Sequence, residues 1–207
     1  MNEFDRKAVV WDKNPEYHDR AGTVSRAIIK QIPISKQMTA LEFGAGTGLL
    51  SFMLKDKLGE ITLMDSSAGM VRVMDEKISE TGAANLRAVE FDLTRTDYTE
   101  KRFDLIYTLM VLHHVDNIEG IIKKFHDLLN PGGYLAISDL YPEDGSFHGE
   151  GFTGHRGFDT NKLSGLLQKE GFESISNGPV YTIEREISDR SRKQFELFLM
   201  TAIKPAH

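Results

Sequence analysis

The chain of 207 residues is 40% hydrophobic and 27% charged, as in ordinary globular proteins, and its length predicts a single domain over residues 1–207. It contains no cysteine, which excludes disulfides, thiolate metal sites, iron–sulfur clusters and a thiol nucleophile within the chain. The net charge of −6 disfavours a nucleic-acid partner, because Lys and Arg contacts to phosphate dominate such binding.

The first 35 residues precede the first predicted strand. Residues 1–7 have mixed charge without the apolar stretch of a secretory signal, and no apolar run is long enough to cross a bilayer. We therefore expect a cytoplasmic protein without a membrane partner. Residues 21–32 predict a helix, and we expect residues 1–35 to form a helical flank or lid beside a core of residues 36–207. Trp11 and Tyr17 either stack on a ligand from this lid or pack in the core.

From residue 38 onward, strand-like apolar runs alternate with helix-like segments, which predicts a mostly parallel sheet covered by helices. Predicted strands cover residues 38–43, 60–64, 86–91, 103–109, 134–138, 174–183 and 195–203. Predicted helices cover residues 49–58, a stretch from about residue 67, residues 120–129 and residues 160–170. The last two strands are joined without a helix, so they should be antiparallel. We therefore expect one edge strand to run against the others.

The candidate binding residues follow the predicted strands, and ligands of open α/β sheets bind outside the carboxyl ends of the strands. The first strand ends in Gly44-Ala45-Gly46-Thr47-Gly48, where glycines allow positive φ and close approach of a ligand to the backbone. The next two strands end at Asp65 and Asp92, and an acidic residue at the end of strand two can accept hydrogen bonds from ribose hydroxyls. A nicotinamide-dependent oxidoreductase is the weaker interpretation, because the third glycine of its fingerprint would fall on Leu49.

Five segments resemble, in the same order, the motifs of class I S-adenosylmethionine-dependent methyltransferases. They are residues 41–48 (LEFGAGTG), 63–70 (LMDSSAGM), 92–93 (DL), 112–115 (LHHV) and 128–133 (LLNPGG). The resemblance implies a Rossmann-like three-layer α/β sandwich, with a seven-stranded, mostly parallel sheet and an antiparallel last strand. It also implies S-adenosyl-L-methionine as the cofactor and S-adenosyl-L-homocysteine as the product.

The resemblance also implies roles for individual residues. Glu42 would lie beneath the methionine amino group, Asp65 would bind the ribose, and Asp92 or Leu93 would meet the adenine. Met70 would pack on the adenine ring, and the end of the fourth strand would flank the sulfonium. The full expected cofactor-binding set is Glu42, Gly44, Ala45, Gly46, Gly48, Asp65, Ser66, Met70, Asp92, Leu93, Thr108 and Leu109.

Within this family the chain is most similar to the small-molecule branch that includes the ubiquinone and menaquinone methyltransferases. The nucleic-acid amino-methylating enzymes carry an Asp/Asn-Pro-Pro-aromatic motif after strand four, where this chain has Thr108-Leu109-Met110-Val111. Cytosine-C5 enzymes need a cysteine, which this chain lacks. We therefore predict in-line methyl transfer to a small molecule. A non-catalytic S-adenosylmethionine-binding module stays open as the alternative, and the sequence does not indicate an oligomeric state.

Three histidines, His113, His114 and His148, are candidate catalytic residues. A sulfonium is already a good leaving group, so catalysis consists mainly of aligning the acceptor. An acceptor that must lose a proton needs a base active near neutral pH, which is typical of histidine. A hydrogen-bonded structural histidine is the other interpretation of His113 and His114. The long loop from residue 139 to 158 is expected to help form the acceptor pocket, and its spacing predicts no metal site.

Overall fold

The computed structural model describes residues 3–187 and 191–206. Its strands are β1 (Thr39–Phe43), β2 (Glu60–Asp65), β3 (Leu86–Glu90), β4 (Phe103–Leu109), β5 (Leu129–Leu140), β6 (Glu173–Glu186) and β7 (Arg192–Ile203). Its helices are α1 (Glu3–Trp11), α2 (Pro15–Gln31), α3 (Leu49–Leu54), α4 (Ala68–Thr81), α5 (Ile118–Leu128) and α6 (Thr160–Lys169), with a 3-10 turn at Leu112–His114. Residues 1, 2, 188–190 and 207 of the expected single domain lie outside the described residues.

The described strands form one seven-stranded sheet in the order β3-β2-β1-β4-β5-β7-β6. The first five pair in parallel, and β7 runs antiparallel to both β5 and β6. The predicted α/β fold with an antiparallel last strand is confirmed. The expectation that the reversed strand lies at an edge is wrong, because β6 forms that edge. The crossover through α6 places β6 one strand away from β5, and β7 folds back from β6 into the gap.

Side chains of the central strands alternate between two cores, one on each face of the sheet. In β1, Ala40 packs in the core covered by α2 and α3, whereas Leu41 and Phe43 pack in the core covered by α5 and α6. The amphipathic α5 buries Ile118, Ile121, Ile122, Phe125 and Leu128 against the second core. Helices on both faces of one sheet make the three-layer sandwich that the sequence predicts.

The parallel register brings the carboxyl ends of the central strands to one edge of the sheet. Phe43 at the end of β1 lies opposite Met64 of β2, and Asp65 lies opposite Glu90 of β3. Leu109 ends β4 opposite Ser138 of β5. The turns that follow β1, β2 and β4 therefore meet at this edge. None of the helices in residues 3–187 and 191–206 combines the length and apolar character that a bilayer crossing requires.

Truncating Ile122 to alanine should lower the free energy of unfolding by about 2–5 kcal/mol, because a fully buried side chain leaves a cavity when it is shortened. Ile29→Ala is the matched control, since Ile29 also lies in a helix but is 38% exposed. It should lower the free energy of unfolding by much less. Urea denaturation of both variants measures the difference, and equal losses would contradict the packing of α5 against the sheet.

Candidate functional site

The turn between β1 and α3 contains three glycines with positive φ, 68° at Gly44, 58° at Gly46 and 80° at Gly48. A Cβ on Gly44 would lie 2.5 Å from the side chain of Val111, and a Cβ on Gly48 would lie 2.6 Å from Leu63. Both positions therefore need glycine for packing within the protein. A Cβ on Gly46 would meet no atom of the described residues within 4 Å. The turn thus has open space beside Gly46, which is partly exposed.

Asp65, at the end of β2, joins this turn to the start of α4. Its Oδ2 accepts a hydrogen bond of 2.7 Å from the backbone N–H of Gly46, and its Oδ1 accepts one of 2.9 Å from Ser67. Burial raises the pKa of Asp65, and the backbone N–H groups of Ser67, Gly46 and Ser66 oppose that rise. Ser66 is exposed beside these bonds. A single carboxylate therefore fixes the relative positions of the first two turns.

Glu42 is a buried acid beneath the first turn, only 3% exposed. Its Oε2 accepts hydrogen bonds from the backbone N–H of Ser51 at 3.2 Å and from Ser51 Oγ at 2.5 Å. Ser51 Oγ also lies 2.6 Å from the hydroxyl of Tyr107. Because one hydroxyl proton goes to the carboxylate, Tyr107 donates to Ser51 in this chain. Burial raises the pKa of Glu42 to about 7.

The remaining predicted cofactor residues differ in their environment. Met70 and Leu93 are almost fully buried. Asp92 accepts hydrogen bonds from the backbone and side chain of Thr94, at 3.0 and 2.5 Å, and therefore stabilises its own turn. Thr108 donates to the carbonyl of Phe43 at 2.9 Å and ties β4 to the end of β1. Leu109, the next residue of β4, is partly buried. In the first turn, the backbone N–H of Ala45 donates to the carbonyl of Met64 at 2.9 Å.

The three predicted histidines come together at the end of β4. Ring centroids lie 4.2 Å apart for His113 and His114, 4.9 Å for His113 and His148, and 5.4 Å for His114 and His148. The ring of His148 stacks on Phe152 at 3.8 Å. Burial, together with the neighbouring His113 and His114, lowers the pKa of His148 to about 4. We refer to His113, His114 and His148 as the histidine cluster.

Asp139, which the sequence analysis did not single out, orients the buried His113. Its Oδ1 lies 2.7 Å from His113 Nδ1, and its Oδ2 accepts from the backbone N–H of His113 at 3.3 Å. Oδ1 also accepts from the backbone N–H of Leu140 at 2.8 Å. Both side chains are at most 1% exposed. With Nδ1 bonded to a carboxylate, His113 has Nε2 left for other contacts.

The turn that leads to the histidine cluster contains Met110, which has a left-handed φ of 59°. Its backbone N–H donates to the carbonyl of Ser138 at 2.8 Å. Such a conformation is uncommon for a residue with a side chain. The chain therefore turns sharply at the end of β4, and His113 then comes to face Asp139 of the neighbouring strand.

Helix α1, which the sequence did not predict as a separate element, contacts three parts of this edge. Asp5 Oδ1 accepts from Ser67 Oγ at 2.7 Å and from the backbone N–H of Gly69 at 3.0 Å. The turn after α1 places Asp12 within 2.5 Å of Thr47 Oγ1 and 2.7 Å of Lys77 Nζ.

The aromatic residues of this segment also contact one another and the cluster. The Phe4 ring lies 5.5 Å from that of His114, and the Trp11 ring lies 4.8 Å from that of Tyr17. Together with the two aspartates, these contacts hold α1 across the glycine turn, the start of α4 and the histidine cluster.

A Rossmann-like sheet with a glycine turn after β1, bonded to an acid that ends β2, defines a protein class that binds nucleoside-containing cofactors at this edge. The family model for the methyltransferase domain matches residues 17–177. The chain belongs to this family, and the domain is of the S-adenosylmethionine-dependent class I methyltransferase type, with S-adenosylmethionine as its cofactor.

Known relatives and solved structures are similar to this chain to different extents. An uncharacterised methyltransferase of Schizosaccharomyces pombe is 29% identical over 159 residues, 69% of this chain and 55% of that protein. The chain thus spans about half the length of that relative. The Haemonchus contortus phosphoethanolamine N-methyltransferase 2 with S-adenosylmethionine shares the fold at a TM-score of 0.71 and 15% identity, over 87% of this chain and 52% of that chain. A candidate methyltransferase in complex with the Haloferax volcanii Trm112 activator shares the fold at a TM-score of 0.77 and 14% identity, over 99% of this chain and 99% of that chain.

Replacing Glu42 by glutamine should change how stability depends on pH. A carboxyl whose pKa rises on folding stabilises the folded state below its unfolded pKa, and this contribution is lost as the pH rises towards 7. Relative to E42Q, the cofactor-free protein should therefore lose roughly 3 kcal/mol of unfolding free energy between pH 4.5 and 7. Glu90→Gln, an exposed glutamate at the end of β3, is the control. Parallel stability curves for the wild type and E42Q would contradict this assignment.

Gly46→Ala and Gly82→Ala form a matched pair. Both glycines have left-handed φ, 58° and 62°, and neither Cβ would meet an atom of the described residues within 4 Å. Each variant should therefore lose a similar free energy of unfolding, about 1–2 kcal/mol. Only G46A should weaken binding of S-adenosylmethionine in calorimetry, because its methyl group enters the space beside the turn. Equal cofactor affinities would remove Gly46 from the binding site.

Proposed function

We propose that this protein transfers the methyl group of S-adenosylmethionine to a small-molecule acceptor and releases S-adenosylhomocysteine. The observation that carries the proposal is the pair of joined turns at the ends of β1 and β2. There the N–H of Gly46 donates to Asp65 beside open space. The family assignment supports the reaction class. The net charge of −6 and the cover formed by α1 favour a small acceptor over a nucleic acid.

The buried Glu42 fits a cofactor that carries positive charge. Glu42 is desolvated, and a cation beside it would offset part of the energy lost by its burial. S-adenosylmethionine has both an ammonium group and a sulfonium. In the proposed arrangement Glu42 lies beneath the ammonium group, while Asp65 and Ser66 bind the ribose hydroxyls. The backbone of the first turn lines the methionine part through Gly44, Ala45, Gly46 and Gly48.

The other proposed contacts lie on either side of these turns. Met70 and Leu93 supply buried apolar surface for the adenine, and Asp92 supplies a partly exposed carboxylate. The hydroxyl of Thr108 donates to the carbonyl of Phe43. Thr108 would therefore contact the sulfonium through packing and not through a hydrogen bond. Leu109 adds apolar surface there. The cofactor would thus lie across the ends of four neighbouring strands.

Catalysis in this proposal depends mainly on positioning. When bound, S-adenosylmethionine supplies a methyl group on a sulfonium leaving group. As the bond from carbon to the acceptor forms, the carbon–sulfur bond breaks and its electron pair passes to sulfur. His113 Nε2 takes the proton that the acceptor loses, and Asp139 holds the ring through Nδ1. His114 and His148 line the same place and contact the acceptor.

The N-terminal segment acts as a lid in this proposal. Asp5 and Asp12 hold α1 over the edge where the cofactor binds, and a covered site excludes water from the reacting groups. The rings of Trp11, at the end of α1, and Tyr17 pack on each other. We propose that residues 1–35 and the core of residues 36–207 form one catalytic unit. We also propose that the protein acts in the cytoplasm.

The function is tested by following S-adenosylhomocysteine formation from labelled S-adenosylmethionine with fractionated metabolite extracts. Asp65→Asn should weaken cofactor binding by about 1.5–3 kcal/mol, or about 10- to 150-fold, because charged hydrogen bonds are lost. Asp75→Asn, an exposed residue of α4, is the control and should bind normally. Cofactor binding without turnover in any extract would favour a non-catalytic binding module. Selective binding of NAD instead would favour an oxidoreductase.

The role of His113 is tested by His113→Asn. Turnover should fall by about 10²- to 10⁴-fold, because the protein then has no base to take the proton that the methyl acceptor loses. The affinity for S-adenosylmethionine should stay unchanged, since the cluster lies beyond the cofactor turns. His126→Asn, whose ring packs on Phe172, is the control. Unchanged turnover of the folded H113N protein would exclude His113 as the base.

A further inference from the structure

The histidine cluster has the ligand arrangement of a metal site. One ring nitrogen from each of His113, His114 and His148 lies within 4.8 Å of the other two. His113 and His114 are adjacent on the 3-10 turn, whereas His148 comes from the loop after β5. Sequence spacing alone predicted no metal site, because 34 positions separate His148 from His114. The fold supplies the convergence that the spacing does not show.

The surroundings of His113 and His148 suit both rings for metal ligation. The Nδ1 of His113 is held by Asp139 at 2.7 Å. Such a carboxylate–histidine pair is the usual outer support of a metal-bound imidazole, and it directs Nε2 towards the ion. The Nε2 of His148 is buried and has no hydrogen-bond partner among the described residues. A buried nitrogen without a partner is costly, and a bound cation would satisfy it.

We propose that His113, His114 and His148 bind one divalent transition-metal ion, either zinc or another ion that prefers nitrogen ligands. Neutral imidazole suits zinc, copper, iron and nickel, whereas magnesium and calcium prefer oxygen ligands. Three protein nitrogens leave one position of a tetrahedral ion open, as in catalytic rather than structural zinc sites. Asp139 is a positioning residue for this site, because it contacts the ion only through His113.

The distances require a modest contraction when the ion binds. Bonds of about 2.0–2.1 Å place the nitrogens of a tetrahedral set about 3.4 Å apart, compared with up to 4.8 Å here. His113 is fixed by Asp139, so the other two rings must approach it. His114 is exposed and His148 lies in a loop, and both can make this movement. The ion would thus draw the loop after β5 towards the end of β4.

The consequence for the acceptor rests on the proposed function. A cation beside the methyl position lowers the pKa of a hydroxyl, phenol or thiol that occupies its open position. The acceptor class then becomes molecules with an ionisable oxygen or sulfur. In the loaded protein the acceptor would bind the ion as its anion and release its proton to bulk water. His113 would not take that proton, because one nitrogen lone pair cannot bind a metal and a proton together.

The site is tested by adding Co²⁺ to the metal-free, untagged full chain without cofactor or acceptor. We expect one equivalent to bind with visible absorption bands of low-coordinate cobalt, and Zn²⁺ to displace it. His114→Asn and His148→Asn should each weaken binding at least about tenfold, and Asp139→Asn should weaken it by about 10- to 100-fold. His126→Asn, outside the cluster, should bind as the wild type does.

The outcomes separate this inference from the proposed function. Absence of cobalt binding, or binding that H114N and H148N leave unchanged, would overturn the metal site while methyl transfer stays measurable as S-adenosylhomocysteine formation. Failure to bind S-adenosylmethionine would overturn the function without affecting the cobalt result. H114N keeps the test valid if the buried Asp139 variant does not fold, because His114 is exposed.

Discussion

The hydrogen bond from the Gly46 N–H to Asp65 is the constraint on which the geometry of this edge depends. It connects the turn after β1 to the turn after β2, and Asp65 also accepts from Ser67 at the start of α4. Three elements are therefore held by one carboxylate that is itself largely desolvated. Removing its charge disturbs the turns as well as any ligand on them. In the proposed function, the carboxylate of Asp65 takes part both in ligand binding and in local folding.

Two acids, the buried Glu42 and the partly buried Asp65, give this edge its electrostatic character. Burial raises the pKa of both Glu42 and Asp65, so each is ionised at a cost that backbone and hydroxyl donors only partly offset. A cationic ligand reduces that cost when it arrives, and a neutral ligand of the same shape does not. In the proposed function, the ammonium group of S-adenosylmethionine lies beside Glu42 and offsets part of this cost.

Local signals in the sequence were sufficient for most of the fold. The glycine turn, Asp65 and the strands lie close together in the chain, and the predicted sheet was confirmed. Contacts between distant segments were not predictable in this way. Asp139 lies 26 positions from His113, and Asp5 lies 62 positions from Ser67. These residues acquire partners only when β5 lies beside β4 and α1 covers α4. The position of β7 inside the sheet likewise depended on the crossover through α6.

Met110 shows how the chain tolerates an unfavourable conformation to place the histidines. A left-handed residue with a side chain carries a penalty of about 1–2 kcal/mol that glycine would avoid. Glycine there would also give the unfolded chain more freedom and leave the turn less rigid. The sharp bend is therefore maintained by the packing around it rather than by its own preference. Selection for thermal robustness and selection for a well-aligned imidazole would act in opposite directions at this one position.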